Sequence, residues 1–191
     1  MDSGETKLKA ESSVVDLTEE PLKVLREGAI SRLDIETAAK RKIILFVCTG
    51  NSCRSVMAEA LLKKKLKERG RTDIEVISAG IVLVGGFGAT YDTRQLLARE
   101  EIDVLDHLSQ RVTREMVKES DLILVMERLH EERILQIAPD AKNRVYLLKE
   151  FAKIEDNNNL DIADPIGRPM EFYEMTFGII KEAVERVSQL I

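Results

Sequence analysis

Ile43-Ile44-Leu45-Phe46-Val47-Cys48-Thr49-Gly50-Asn51-Ser52-Cys53-Arg54-Ser55 is the stretch on which the reading of this chain turns. Ile43 to Cys48 is a continuous apolar run without the alternation of a sheet wetted on one side, which predicts a strand buried on both faces. Cys48 to Ser55 is a short loop of small and polar residues. Beyond it Ala58, Leu61, Leu62 and Leu66 recur at helical spacing, and Gly70 supplies a stop just past the last turn. Strand, loop and helix thus follow one another without a break.

Further along, Ile74 to Ser78, Asp121 to Met126 and Arg144 to Leu148 repeat the short run rich in Val, Ile and Leu, with helical periodicity between them. This alternation predicts an α/β fold of three layers, α/β/α, built on a four-stranded parallel twisted sheet. Phe172, Met175, Thr176, Ile179, Ile180, Ala183, Val184, Val187, Leu190 and Ile191 mark the apolar face of a long closing helix, with Pro169 at its start. Residues 1–40 differ in character and are expected to form a helical N-terminal extension, with Leu17, Leu22, Leu25 and Ile30 on one weakly amphipathic helix. The domain proper is expected over residues 41–191.

Composition narrows the classes. The chain has 191 residues, a formal net charge of −5, two cysteines, two histidines and no tryptophan. One domain of about 150 residues buries a full core without disulfides or metals. No segment approaches the roughly 20 apolar residues of a bilayer span, and the charged first 40 positions do not resemble a signal peptide. A cytoplasmic protein is expected, acting on neither membrane nor nucleic acid. Two cysteines are too few for a disulfide framework and suit a reducing compartment.

The chemistry gathers in the loop. Ligands of open α/β sheets bind beyond the carboxyl ends of the strands, where this loop stands. Successive backbone N–H groups of Thr49, Gly50, Asn51, Ser52, Cys53 and Arg54, with the positive end of the following helix, make a concavity suited to a tetrahedral oxyanion. Gly50 and Asn51 tolerate the left-handed backbone such a nest requires. Those dipoles and the Arg54 guanidinium favour the thiolate of Cys48, the competent nucleophile, and Arg54 offers a fork of donors matched to phosphate oxygens. The loop lacks the Gly-Lys-Ser/Thr ending of a nucleotide-binding P-loop, and the histidines and cysteines lack a zinc-ligand spacing.

Val47 to Ser55, with Met57-Ala58-Glu59 after it, resembles the low-molecular-weight protein phosphatase family. So do Ser78-Ala79-Gly80, His107 before Ser109, Leu148-Lys149-Glu150 and Asp164-Pro165. The resemblance runs from residue 42 to 191. It implies a cysteine-dependent protein phosphatase without metal or cofactor, acting on phosphorylated protein substrates. Cys48 attacks phosphorus, Arg54 clamps the phosphate, and Asp164 is general acid and then base. It further implies that Ser55 donates a hydrogen bond to the Cys48 sulfur, and that Ser78 and His107 hold Asn51 in its unfavourable conformation. Cys53 is either a small buried side chain or a partner for Cys48 in a protective disulfide.

Specificity in the family depends on the residue before the second loop cysteine, here Ser52. Tyrosine phosphatases of the family usually carry a bulky isoleucine there. The branch acting on phosphoarginine carries threonine, so Ser52 leans toward phosphoarginine. Ile166 stands where an aromatic side chain commonly stacks on the substrate, and Phe87, Tyr91, Phe172 or Tyr173 are candidates to replace it. Two rival readings are weighed. A thioredoxin-coupled arsenate reductase shares the loop but relays oxidation through two further cysteines, and residues 56–191 contain none. A catalytically silent phosphate-binding module would act through residues 1–40, whose exposed leucines also suit self-association or a protein partner; all catalytic positions are present, which favours hydrolysis.

Overall fold

The computed structural model describes residues 11–18, 22–82, 85–154 and 159–191. The chain divides after Arg41 into two compact units. In the second, parallel strands β3 (Lys42–Cys48), β4 (Ile74–Gly80), β5 (Leu122–Val125) and β6 (Val145–Leu147) lie side by side in the order β4-β3-β5-β6. The sheet extends the expected Ile74–Ser78 strand to Gly80, and trims Asp121 and Met126 from β5 and Arg144 and Leu148 from β6.

Alternation along β3 builds the layers, because successive side chains leave a strand on opposite faces. Ile44, Phe46 and Cys48 join the core beneath α2 (Arg54–Glu68), α3 (Tyr91–Arg99) and α7 (Met170–Leu190), whereas Leu45 and Val47 join the core on the side of α4 (Arg114–Glu119) and α5 (Arg128–Ile137). Leu45, Phe46 and Val47 are fully buried, so the run reads as apolar on both faces. Helix α2 stops where the glycine was read. Gly70 takes φ +66, its N–H reaches the Lys67 carbonyl and the Arg71 N–H reaches that of Leu66 at 2.9 Å, the paired bonds of a left-handed C-terminal cap.

Two expectations about the helices need correction. On α7 the buried face is Tyr173, Thr176, Phe177, Ile180, Ala183, Val184 and Val187, while Met175 is 55% exposed and Phe172 only half-buried. Thr176, Ile180, Ala183, Val184 and Val187 belong to the expected face, and packing against α2 and α3 turns it slightly, so that Tyr173 and Phe177 point inward in place of Phe172 and Met175. In the first unit, the described residues 17–18 and 22–30 do not form the expected helix, of which 19–21 lie outside the described residues. Strands β1 (Val14–Asp16) and β2 (Lys23–Arg26) pair antiparallel, and helix α1 follows at Arg32–Lys40. Long-range bonds decide this: Ser13 Oγ accepts from the Gly28 N–H at 3.0 Å and donates to the Ile30 carbonyl at 2.6 Å. The helix signal that did exist was Ser31, whose hydroxyl accepts the Asp34 N–H at 3.2 Å and donates to the Asp34 carboxylate at 2.6 Å. Among the described residues no helix is long and apolar enough to cross a membrane.

Phe46 lies at the heart of the first core. Phe46→Ala should lower the unfolding free energy by about 3–5 kcal/mol, from lost burial and the cavity left behind. Equilibrium denaturation measures it, and a loss below about 1 kcal/mol would mean that the core collapses around the gap.

Candidate active site

The loop between β3 and α2 is shaped by where its carbonyls go. Those of Cys48 and Thr49 accept the N–H groups of Ile81 and Val82, that of Ser52 accepts the Thr90 N–H, and that of Cys53 accepts the Met57 N–H. The Asn51 carbonyl accepts His107 Nε2–H at 2.8 Å. A trans planar peptide aims each following N–H the opposite way, so the N–H groups of 49, 50, 52, 53 and 54 turn inward together. The first turn of α2 holds no acidic residue and its N-cap makes no side-chain bond, so nothing there neutralises the positive helix end.

Asn51 alone in the loop takes the left-handed backbone, at φ 53, and Gly50 does not. It is fully buried, and each of its polar groups is used. Its N–H points to Cys48 Sγ at 3.2 Å, and Oδ1 accepts the Gln110 N–H at 2.9 Å. Nδ2 donates to Ser55 Oγ at 3.0 Å and to Ser78 Oγ at 2.7 Å. Ser78 Oγ in turn donates a hydrogen bond to the Glu59 carboxylate at 2.5 Å. Because Ser55 Oγ already accepts from Asn51, its proton is free for Cys48 Sγ, 3.0 Å away.

Arg54 is buried and bracketed by acceptors. Nη1 donates to Glu127 Oε1 at 2.6 Å and to the Ile162 carbonyl at 2.7 Å; Nη2 donates to Asp164 Oδ2 at 2.5 Å and to Thr49 Oγ1 at 3.1 Å. The expected fork toward phosphate is therefore occupied at both terminal nitrogens. Nε remains, a buried donor without a protein partner. Asp164 is steadied on its other oxygen by the Ile166 N–H at 3.1 Å. His130 closes the cluster: its Nδ1 accepts the Glu127 N–H at 3.1 Å and its Nε2 lies 3.0 Å from Thr49 Oγ1. Burial, and then the neighbouring Arg54 charge, push His130 down to about 4, so the imidazole is neutral and Nε2 carries the proton.

The model of the low molecular weight phosphotyrosine protein phosphatase family matches residues 43–191. The chain belongs to that family. A protein-arginine-phosphatase of Geobacillus stearothermophilus is 34% identical over 146 residues, covering 76% of this chain and 93% of the relative. A probable low molecular weight protein-tyrosine-phosphatase, AmsI of Erwinia amylovora, is 34% identical over 144 residues, covering 75% and 92%. Among solved structures, the arginine phosphatase YwlE in a cysteine-to-serine variant with a phosphorylated active-site serine superposes with a TM-score of 0.71 at 30% identity, covering 78% of this chain and 94% of the other. The chain is thus a protein phosphatase of the low-molecular-weight type.

In this phosphatase the three residues expected to be catalytic fall in two networks: Cys48 joins Asn51, Ser55, Ser78 and His107, and Arg54 and Asp164 join Thr49, Glu127 and His130. Cys48 and Cys53 are both free, and Cys53 Sγ lies 3.3 Å from Thr90 Oγ1 and 3.7 Å from the Tyr173 hydroxyl. Tyr173 is a buried packing residue, not an entrance wall, and burial raises it to about 12. Phe87, Tyr91 and Ile166 are exposed. The 85–90 loop is tied to the phosphate loop by the Thr90 N–H on the Ser52 carbonyl. Among the described residues no three His, Cys, Asp or Glu side chains gather as a metal cluster.

Glu127, His130, Glu59 and Gln110 escaped the reading of the sequence. Glu127 stands just beyond β5 at the ligand edge of the sheet, with His130 three residues on, a position that could have flagged both. Glu59 and Gln110 act through partners distant in the chain, and nothing local marks them.

Two measurements test this geometry. A Cβ on Gly80 would lie 2.8 Å from the Thr49 carbonyl oxygen and 3.0 Å from the Asn51 nitrogen. Gly80→Ala should therefore push the phosphate loop out of shape and lower kcat/KM at least about tenfold, with a stability loss of about 1–3 kcal/mol; unchanged kinetics would show that the loop yields freely. The second concerns His130, which takes up a proton near 6.5 when unfolded and near 4 when folded. Between those values the unfolded chain binds more protons, so its contribution is full above pH 6.5 and is lost as pH falls toward 4. The stability gap between wild type and His130→Gln should narrow from pH 7.5 to pH 4.5, and a constant gap would contradict a neutral buried imidazole.

Proposed function

We propose that this phosphatase removes phosphoryl groups from protein side chains through a phosphocysteine on Cys48. The observation that carries the reading is the sulfur's setting. Cys48 Sγ receives the Asn51 N–H and faces Ser55 Oγ at 3.0 Å, beside a nest of inward N–H groups and the unpartnered Nε of Arg54. In the first step sulfur attacks phosphorus as the bond to the leaving oxygen or nitrogen breaks, and Asp164 gives that atom a proton. The arriving phosphate takes Arg54 Nε and competes for Nη2, which releases Asp164 Oδ2 toward the leaving group. In the second step Asp164 takes a proton from water, the water oxygen bonds to phosphorus, and the S–P bond breaks to return the thiolate and free phosphate. The loop N–H groups and Arg54 hold the charge of the trigonal-bipyramidal transition state.

Relatives named as arginine and as tyrosine phosphatases stand at equal identity to this chain, 34%. Ser52 favours phosphoarginine, because a small hydroxyl side chain replaces the bulky residue that packs an aromatic ring. The free thiols of Cys48 and Cys53 suit action in a reducing cytoplasm.

Matched phosphoarginine and phosphotyrosine peptides decide between them. Phosphate release should be faster from the phosphoarginine peptide and abolished in Cys48→Ser. Asp164→Asn should lower kcat by about 10²–10⁴ while leaving Cys48 able to accept the phosphoryl group. Full activity of Cys48→Ser would overturn the phosphocysteine, and faster tyrosine turnover would overturn the role of Ser52.

A further inference from the structure

We propose that His130 is a positioning residue for Thr49, setting the Thr49 hydroxyl as a hydrogen-bond donor to the phosphoryl group on the side of Asp164. The inference rests on the phosphocysteine reading above and adds a residue pair to it. Thr49 Oγ1 accepts from Arg54 Nη2 at 3.1 Å. His130 Nε2 lies 3.0 Å from the same oxygen. The direction of that second bond is fixed from the other ring nitrogen: Nδ1 accepts the Glu127 N–H at 3.1 Å, so in the neutral ring the proton is on Nε2 and is donated to Thr49. Charged or titratable groups facing this ring are Arg54, Glu127, Asp161 and Asp164.

A hydroxyl has two acceptor positions and one proton. Both acceptor positions on Thr49 are filled, by a cation and by an imidazole, so its proton must be donated in a third direction, away from Arg54 and His130. Two donors on one hydroxyl also strengthen it as a donor in its turn. Arg54 Nη2 binds both Thr49 Oγ1 and Asp164 Oδ2, which places the hydroxyl beside the carboxylate that handles the leaving group and the water. The adjoining backbone holds it there: the Thr49 carbonyl accepts the Val82 N–H at 3.1 Å, and Cys48 is the preceding residue. A threonine following the nucleophile therefore serves the reaction with its side chain as well as its N–H.

The buried pair has a second consequence. His130 completes the start of α5, because the Glu127 side chain accepts the backbone N–H of His130 while His130 Nδ1 accepts that of Glu127. The same imidazole thus anchors Glu127, which holds Arg54 Nη1, and Thr49, which holds Arg54 Nη2. Removing the ring loosens both ends of one guanidinium.

Steady-state kinetics on the phosphopeptides above, with unfolding temperatures measured alongside, test the proposal. Thr49→Val, which keeps the shape and removes the hydroxyl, should lower kcat by about 10- to 100-fold with KM changed less than about twofold. His130→Phe, which also frees Glu127, should lower kcat at least as much, and the double variant should be no slower than the slower single one, since the Thr49 hydroxyl acts only while His130 sets it. Thr49→Ser and His130→Gln, which restore a hydroxyl and an N–H donor, should recover most of the lost kcat. Wild-type kcat in Thr49→Val overturns the proposal, as does a double variant whose losses multiply. If His130→Phe fails to fold, Thr49→Val against Thr49→Ser still decides it. A failed phosphocysteine reading looks different, because Cys48→Ser would then keep its activity.

Discussion

Everything at the site depends on one residue held against its own preference. Asn51 sits at φ 53 in the left-handed region, which costs a residue bearing a side chain roughly 1–2 kcal/mol. The cost is met by five hydrogen bonds spread over its N–H, carbonyl and side-chain amide, three of them buried and two partly buried. Asn51 is the hub from which order spreads: one arm reaches Ser55 and then the Cys48 sulfur, another reaches Ser78 and Glu59, and a third fixes the backbone through His107 and Gln110. Because every arm is satisfied within the protein, the nest of N–H groups stands ready before any phosphate arrives, and none of the binding free energy is needed to shape it.

Charge is handled with the same completeness. A guanidinium buried to 1% exposure is costly unless paired, and Arg54 is paired twice, with Glu127 and Asp164. The two carboxylates differ in freedom. Glu127 is tied to the start of α5 through His130, whereas Asp164 lies in a turn, more exposed, with its second oxygen on the Ile166 N–H. The anchored carboxylate keeps the guanidinium in place, and the more exposed one suits the release proposed for Asp164. In the proposed mechanism this asymmetry lets one cluster serve both as a structural ion pair and as chemical equipment.

Cys53 and Tyr173 link that equipment to the closing helix. Turning Tyr173 rather than Phe172 inward brings its hydroxyl to Cys53, at the N-cap of α2, where Thr90 also arrives. The phosphate loop is thereby braced on its outer side by α3 and α7 and on its inner side by the Asn51 network. Gly80 completes the enclosure, since no Cβ fits between β4 and the loop.

The sequence by itself determined the strands and the loop between the first strand and its helix, because each is a local pattern. A short apolar run without alternation, bounded by a loop of small polar residues, reads as a strand buried on both faces, and Cys48 to Ser55 brings a thiol, a guanidinium and a row of N–H groups together in consecutive residues. Cys48 and Arg54 stood out for that reason, with Asp164, Ser78 and His107 and the hold on Asn51 following from resemblance. Tertiary structure decided only the edge of the buried face of α7, adding Tyr173 and Phe177 to the Thr176, Ile180, Ala183, Val184 and Val187 that the period already marked. It alone paired Val14–Asp16 with Lys23–Arg26, beside bonds from Ser13 to positions 15 and 17 residues away. It alone brought Glu127 and His130 to Arg54 and Thr49, across 73 and 81 residues of chain. Local propensity reports what neighbours along the chain prefer, whereas buried charge and hydrogen-bond satisfaction are settled by whatever the fold brings within 3 Å.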